Sequence, residues 1–360
     1  MRTIFWLSIV TIAYVYVGYP LLLAAWARVA RRGPRRLPID AVETWPAISI
    51  VLAARNEAAR LPARLTNLLS IPYRGGREII VVSDGSTDNT RDAVREFGYA
   101  VKFVEVPAGG KPLALNAGVA AATGDVLVFA DARQAFSTDA LQHLAANFND
   151  PQVGGVTGEL VLDAEKQPTD STVGDGVGLY WRYEKWLRRN ESAVWSTLGA
   201  TGAIYALRRQ LWQPLPAGTL LDDVLAPMRA VLSGWRIVFE EQARASDIAS
   251  VDAEAESRRK VRTLAGNYQI LTQEPRLLLP IVNPVWIQYM SHKVGRLLVP
   301  WALLGSLFAS AGLMFDGWLY ACAFGFQAFF YLVAAYGGWS EHRTRRSAQF
   351  RTGALREVTR

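Results

Sequence analysis

The chain has 360 residues, a net charge of +7 and 51% hydrophobic residues. That pairing is unusual for a soluble protein and ordinary for one whose apolar residues sit in bilayer spans flanked by basic residues. A single cysteine, Cys322, excludes a disulfide framework and a Cys-based metal site, and three widely spaced histidines argue against zinc. The basic residues lie beside apolar runs and not on a nucleic-acid-reading motif, so nucleic acid is not an expected partner.

In chain order, the first element is an uncharged run between Arg2 and Arg28, longer than the roughly 20 residues a helix needs to cross a bilayer. It is too long for a signal-peptide core and lacks a small-residue cleavage site, so residues 1–28 read as an uncleaved anchor. Arg28, Arg31, Arg32, Arg35 and Arg36 follow, and the positive-inside rule places the chain after them in the cytoplasm.

Residues 45–270 change character. Ala47–Ala53, Glu78–Val82, Val101–Val106 and Asp125–Ala130 are short apolar runs that predict strands. Helical patterns separate them: Ala58–Leu69, Thr87–Phe97 and Lys111–Ala122. Strands apolar throughout and alternating with helices predict a parallel sheet covered on both faces, with ligands at the carboxyl ends of its strands. Polar residues fall at those ends: Arg55-Asn56-Glu57 after the first strand, Asp84 after the second, Asp131 after the fourth. Lys111 opens a helix behind Gly109-Gly110, a setting that favours an anion. A nucleoside diphosphate needs acceptors around its base and ribose, cations on its phosphates and a carboxylate for a divalent metal. Glu57 and Asp84, Lys111, and Asp131 supply these in turn. Gly109-Gly110-Lys111 lacks the P-loop spacing. Each acid taken singly reads better as a turn or cap residue; what points to a site is their common edge.

Val177–Arg189 interleaves Tyr180, Trp181, Tyr183 and Trp186 with basic residues and reads as core-packing or interfacial. Residues 271–292, broken by Pro275, Pro280 and Pro284, read as an interfacial segment. Residues 293–340 hold two further apolar stretches, Leu297–Phe315 and Gly317–Ser340, which predict a transmembrane hairpin. Lys293 and Arg296 precede it, and residues 341–360 form a basic tail. The charge pattern predicts an outside N-terminus, with the middle domain and C-terminus in the cytoplasm.

Five blocks resemble, in order and spacing, those of family 2 glycosyltransferases. They are Val82–Asp88, Gly110–Gly118, Gly124–Asp131, Gly199–Ala203 and Asp222-Asp223. The resemblance is strongest to the membrane-bound branch with cellulose, chitin, hyaluronan and poly-N-acetylglucosamine synthases. It implies an α/β domain of the GT-A fold between one N-terminal and two C-terminal transmembrane helices, in a bacterial-type inner membrane. Carried over by residue, Glu57 and Asp84 resemble the base- and ribose-contacting acids, and Lys111 a diphosphate contact. Asp131 resembles the first acid of the DxD motif and so the ligand of Mg²⁺ or Mn²⁺. Gly199, Thr201 and Gly202 resemble the acceptor-side loop, Asp222 the first member of the family's acidic pair and Asp223 its second, the catalytic base. The motif here reads Asp131-Ala132-Arg133, so an arginine assigned to donor phosphate stands where the second acid would be. The branch's QxxRW motif is replaced by Arg259–Thr263, with Arg262 matching its arginine and Thr263 in place of its tryptophan. The activity implied is inverting transfer of a sugar, expected from a UDP-sugar, to a glycan or lipid-linked acceptor, with membrane lipid and export or assembly subunits as further partners. A polyprenyl-phosphate glycosyltransferase and a non-catalytic assembly subunit with a degenerate nucleotide site are the alternatives.

Overall fold

The structure, a computed structural model, describes all residues except 31–32, 34–37, 164–172, 249–252 and 359–360, and no side chains at 162–163, 173–179, 248, 253–256 and 341–358. Arg31, Arg32, Arg35, Arg36 and the side chains of the basic tail therefore lie outside the described residues. The chain divides into two compact units, residues 19–294 and residues 1–18 with 295–360.

From the N-terminus, α1 (Arg2–Ala13) runs through a π-turn at Tyr14–Gly18 into α2 (Tyr19–Ala30). The larger unit then continues as β1 (Ile48–Ala54), α3 (Leu61–Ser70), β2 (Arg77–Asp84), α4 (Thr90–Arg95), β3 (Lys102–Val106), α5 (Lys111–Ala121) and β4 (Val126–Ala130). Next come β5 (Ala135–Phe136), α6 (Ala140–Ala146), β6 (Val153–Asp163), α7 (Val173–Val194), β7 (Ile204–Arg208), α8 (Asp222–Leu232), β8 (Arg236–Ile248), α9 (Ala253–Gln273) and the short α10 (Trp286–Gln288). The smaller unit carries α11 (Gly295–Gly312) and α12 (Trp318–Val358).

One eight-stranded sheet has the order β3-β2-β1-β4-β7-β6-β8-β5. The four predicted strands form its parallel half, β3-β2-β1-β4. The expectation of a wholly parallel sheet is corrected beyond β4: β7 runs antiparallel to β4 and to β6, and β5 antiparallel to β8. Side chains alternate across the sheet as the pleat requires. Ile50, Leu52, Ile79, Val81 and Val128 pack on one face with Leu61, Leu65 and Leu68 of α3 and Leu141 and Leu144 of α6. Val51, Ile80, Val82, Leu127 and Phe129 pack on the other with Leu115 of α5 and Leu225, Met228 and Val231 of α8. Truncating one of these buried aliphatic side chains to alanine costs about 2–5 kcal/mol. Gly118 lets α5 approach the sheet, since a Cβ there would lie 2.5 Å from Val51 Cγ1.

The antiparallel direction of β7 positions the functional rim. Ala130 at the end of β4 pairs with Ile204 at the start of β7. The loop before β7, residues 199–203, is thereby brought to the edge where β1, β2 and β4 end.

In α7, Leu187 and Val194 are buried with Tyr19 and Leu23 of α2, and Tyr183 and Trp186 pack against them. In the smaller unit α1 lies along α11 closely enough that a Cβ on Gly305 would sit 2.9 Å from Ser8 Oγ. Gln327 of α12 donates to the Leu303 carbonyl at 2.8 Å. Among the described residues, three helical segments are long and apolar enough to cross a membrane: Arg2–Ala30, Trp286–Gly312 and Trp318–Ser340.

Candidate active site

At the rim, the β1 and β2 loops are tied together. Asn56 adopts the left-handed conformation (φ 56°), which asparagine tolerates better than most residues. Its amide donates to Ser86 Oγ at 3.1 Å, and its Oδ1 accepts from the Thr87 amide at 2.8 Å. Glu57 donates its amide to Thr90 Oγ1 at 3.1 Å and pairs its carboxylate with Arg60 at 2.7 Å. Asp84 is 3% exposed and accepts from the Gly109 amide at 2.7 Å and the Gly110 amide at 3.0 and 3.1 Å. Arg55 stands 4.0 Å from the same carboxylate. Asp84 thus sets the approach of the glycine pair that opens α5. Gly110 has φ 88°, open to glycine at little cost.

One residue on, Lys111 Nζ reaches across to Asp131 Oδ1 at 3.0 Å and Asp222 Oδ2 at 3.4 Å. Asp131 is held from behind by Arg64 of α3, whose Nε donates to the Asp131 carbonyl at 3.1 Å. Burial pulls the Arg64 guanidinium down to about 9, with Asp131 opposing. Asp222 and Asp223 open α8, where carboxylates are favoured by the helix dipole. Asp223 Oδ2 accepts from the Gly202 amide at 3.0 Å, and its carbonyl accepts from the Ala200 amide at 2.7 Å. Gly202 leaves the space this needs, because a Cβ there would lie 2.9 Å from Asp223 Oδ2. Gly199 has φ 123° and faces Val224 of α8. Thr201 donates its amide to Thr157 Oγ1 at 2.9 Å and accepts at its hydroxyl from Arg188 of α7.

The electrostatics separate these groups. Burial opposes the Lys111 charge, but Asp222, Asp131 and Asp223 outweigh it and raise its pKa. Burial and then Asp222 push the Asp223 carboxyl up to about 6, while Lys111 and Lys293 resist. Lys111, Asp131, Asp222 and Asp223 therefore act on one another as one cluster, and Asp84 reaches the same cluster through the Gly110–Lys111 step.

Two further residues named from the sequence make contacts outside this cluster. Arg133 pairs with Asp247 of β8, which also accepts from Gln134 Nε2 at 3.0 Å. Arg262 of α9 donates to the Leu220 carbonyl at 3.2 Å and so acts on the segment leading into α8.

Tyr205 is a site neighbour that the sequence does not reveal. It is 1% exposed, stacks on Phe129 at 4.6 Å, and its buried hydroxyl makes no hydrogen bond among the described residues. Burial, then Asp222, Asp223 and Asp131, raise its pKa well above the usual phenol value. A tyrosine inside an apolar strand gives no signal beyond core packing.

The oxygens suit a hard divalent cation. Asp131 is partly exposed, and Asp222 Oδ2 is buried with an ion pair but no hydrogen bond. Among the described residues no group of three or more His, Cys, Asp or Glu is gathered to hold a metal. A cation here would depend on phosphate oxygens, as Mg²⁺ sites commonly do.

An α/β domain with acids and a lysine on its strand ends is of the kind that handles nucleotide-linked substrates. Residues 49–213 match the model of glycosyl transferase family 2. A probable glycosyltransferase of Bacillus subtilis (strain 168), YdaM, is 26% identical over 254 residues, 66% of this chain and 60% of its own. The poly-β-1,6-N-acetyl-D-glucosamine synthase of Staphylococcus aureus (strain COL) is 33% identical over 141 residues, 37% of this chain. The chain spans 60% of the first relative's length and 33% of the second's. The mannosyltransferase PcManGT of Pyrobaculum calidifontis, solved with GDP-Man and Mn²⁺, matches with a TM-score of 0.68 and 22% identity over 93% of this chain and 94% of its own. Residues 49–213 are thus similar to glycosyl transferase family 2, and the α/β domain has the GT-A fold.

Proposed function

We propose that the protein is a membrane-bound inverting glycosyltransferase that moves a sugar from a nucleotide sugar, in the first instance a UDP-sugar, to a hydroxyl of a glycan or lipid-linked acceptor. The observation that carries this reading is the clustering of Lys111, Asp131, Asp222 and Asp223, with the Asp223 carboxylate fixed by the Gly202 amide. Three apolar segments support a membrane setting, with the catalytic domain on the cytoplasmic side.

In this reading Glu57 and Asp84 border the base and ribose, and Lys111 turns from its carboxylates to the diphosphate. Asp131 would hold a divalent cation, which would neutralise charge on the departing diphosphate. The acceptor hydroxyl approaches Asp223 beside the 199–203 loop. Its oxygen attacks the anomeric carbon, a new C–O bond forms, and the bond to the diphosphate oxygen breaks with its electron pair leaving on the nucleotide. Asp223 takes the hydroxyl proton. A single displacement inverts the anomeric configuration.

The test is a donor screen on membranes containing the full chain, scoring released nucleotide and product mass, with Asp223→Asn as control. The expected result is a donor turned over by the wild type and not by Asp223→Asn. A single-sugar lipid phosphate as product would restrict the acceptor to a polyprenyl phosphate. Tight nucleotide binding with no turnover on native acceptor would overturn the catalytic reading in favour of an assembly subunit.

A further inference from the structure

The ten residues that lead into α8, Trp212–Leu221, have no regular structure, yet they are held in place by side chains from α5, α9 and α8 itself, where Arg229 donates to the Pro214 carbonyl at 3.1 Å. Asn116 of α5 bonds both main-chain groups of Leu215: its Nδ2 donates to the carbonyl and its Oδ1 accepts from the amide, each at 2.9 Å. Gln269 of α9 does the same further along. Its Oε1 accepts from the Leu220 amide at 2.9 Å, and its Nε2 donates to the Gly218 carbonyl at 2.9 Å. Gln273 donates to Thr219 Oγ1 at 3.3 Å, and Arg262 to the Leu220 carbonyl at 3.2 Å. Between them Gly266 is the point of closest approach, since a Cβ there would lie 2.5 Å from Leu221 Cγ. Residues 262, 266, 269 and 273 form one stripe at helical spacing, and that stripe grips the chain directly before Asp222 and Asp223.

The two carboxylates sit in the first turn of α8, where amides lack intrahelical partners, and Leu221 supplies no side-chain cap. The later turns are anchored by the buried side chains of Leu225, Met228 and Val231. The leading turn is held on one side by Gly202, Ala200 and Lys111 and on the other by the segment ahead of it. A displacement of about 1 Å at a reacting group costs on the order of 10²-fold in rate.

We propose that Gln269 is a positioning residue for the reaction: by satisfying both the Leu220 amide and the Gly218 carbonyl it sets where Asp222 and Asp223 stand. This rests on the proposed role of Asp223 as the base. Gln269 does not touch Glu57, Asp84 or Lys111, and reaches the donor side only through the Asp222–Lys111 pair, so its loss falls first on Asp223.

The experiment uses the full chain in membranes or detergent, with Gln269→Ala and Gln269→Glu. Gln269→Glu keeps an acceptor for the Leu220 amide but cannot donate to Gly218. For Gln269→Ala, kcat falls by about 10- to 100-fold, donor KM stays within about twofold, and UDP affinity is unchanged. Gln269→Glu falls between Gln269→Ala and wild type. Hydrogen–deuterium exchange supplies a readout that needs no turnover. In Gln269→Ala, peptides covering residues 218–224 exchange faster while those covering 225–232 do not change. Unaltered exchange at 218–224, or a kcat within twofold of wild type, overturns the proposal, as does a kcat loss matched by faster exchange across the whole domain. If no donor is turned over by the wild type, the functional reading fails, and the exchange pattern alone decides the role of Gln269.

Discussion

Asp84 and Asp223 stand on the same rim and in opposite states. Asp84, at the end of a parallel strand, receives three hydrogen bonds from the Gly109 and Gly110 amides. Asp223, at the start of α8, receives one from Gly202 and shares its space with Asp222 and Asp131. The first carboxylate is committed to shaping a loop; the second keeps its basicity because burial and then Asp222 disfavour its charge more than Lys111 and Lys293 support it. A buried group held by amides stabilises structure, whereas a group crowded by like charges stores proton affinity.

The largest effect should come from removing the cation that the acidic side depends on. Lys111→Met deprives Asp131 and Asp222 of their ion pair, and turnover should fall by about 10²–10³-fold, the usual scale for losing one preorganised charge stabiliser. Because Lys111 resists the upward push on Asp223, the acidic limb of the variant's residual activity should move to higher pH. A limb that stays in place would show that Lys111 does not act on Asp223 in solution.

A pair of glycine substitutions separates the two sides directly. Gly202→Ala puts a Cβ 2.9 Å from Asp223 Oδ2 and should lower kcat by about 10- to 100-fold with little change in donor KM. Gly110→Ala meets nothing closer than 3.7 Å but forces alanine to φ 88°, so it should raise donor KM with kcat nearly constant. Steady-state kinetics on both variants check this. If both move the same parameter, the donor and acceptor sides are not separable.

The wild-type pH profile is a milder probe. Asp223 must be ionised to accept a proton, and burial with Asp222 holds it at about 6. Activity should be full above that value and fall about tenfold per unit below it. The stability sign is opposite. Between the ordinary aspartate pKa of about 4 and the folded value the native state binds more protons, so stability falls as pH rises through that window. Asp223→Asn should therefore unfold at higher temperature than wild type at pH 7 while being inactive.

The same division marks how far the sequence could be read. The parallel half was legible because its strands are continuous apolar runs with acids directly after them, as at Ile79–Asp84 and Val126–Asp131. The other half was not. β6 carries Gly154, Gly155 and Gly158, which break its apolar run, and they are needed because a Cβ on Gly158 would lie 2.4 Å from the Ala243 carbonyl. β8 opens with Arg236 and carries Glu240-Glu241, whose partners Asn147, Lys185 and Arg189 lie 50 or more residues away. Arg133 reads as a donor contact from its place in a motif, but its partner Asp247 lies 114 residues downstream. Asp222-Asp223 was legible through family resemblance, whereas Gln269 is one polar residue among many in its helix and gains meaning only from the main-chain groups it meets.

The smallest expected effect concerns Tyr205, whose strand joins the two halves of the sheet. Its hydroxyl is buried beside the acidic cluster and forms no hydrogen bond among the described residues. A buried polar group without a partner has already lost its solvation, so Tyr205→Phe removes a cost and not a contact. The variant's unfolding free energy should lie within about 1 kcal/mol of wild type, on the stabilised side, with the Phe129 stack kept. A clear loss of stability would mean that the hydroxyl bonds to Asp222 or to ordered water. Asp222 would then be held as Asp84 is, and the contrast between the two sides would narrow to Asp223 alone.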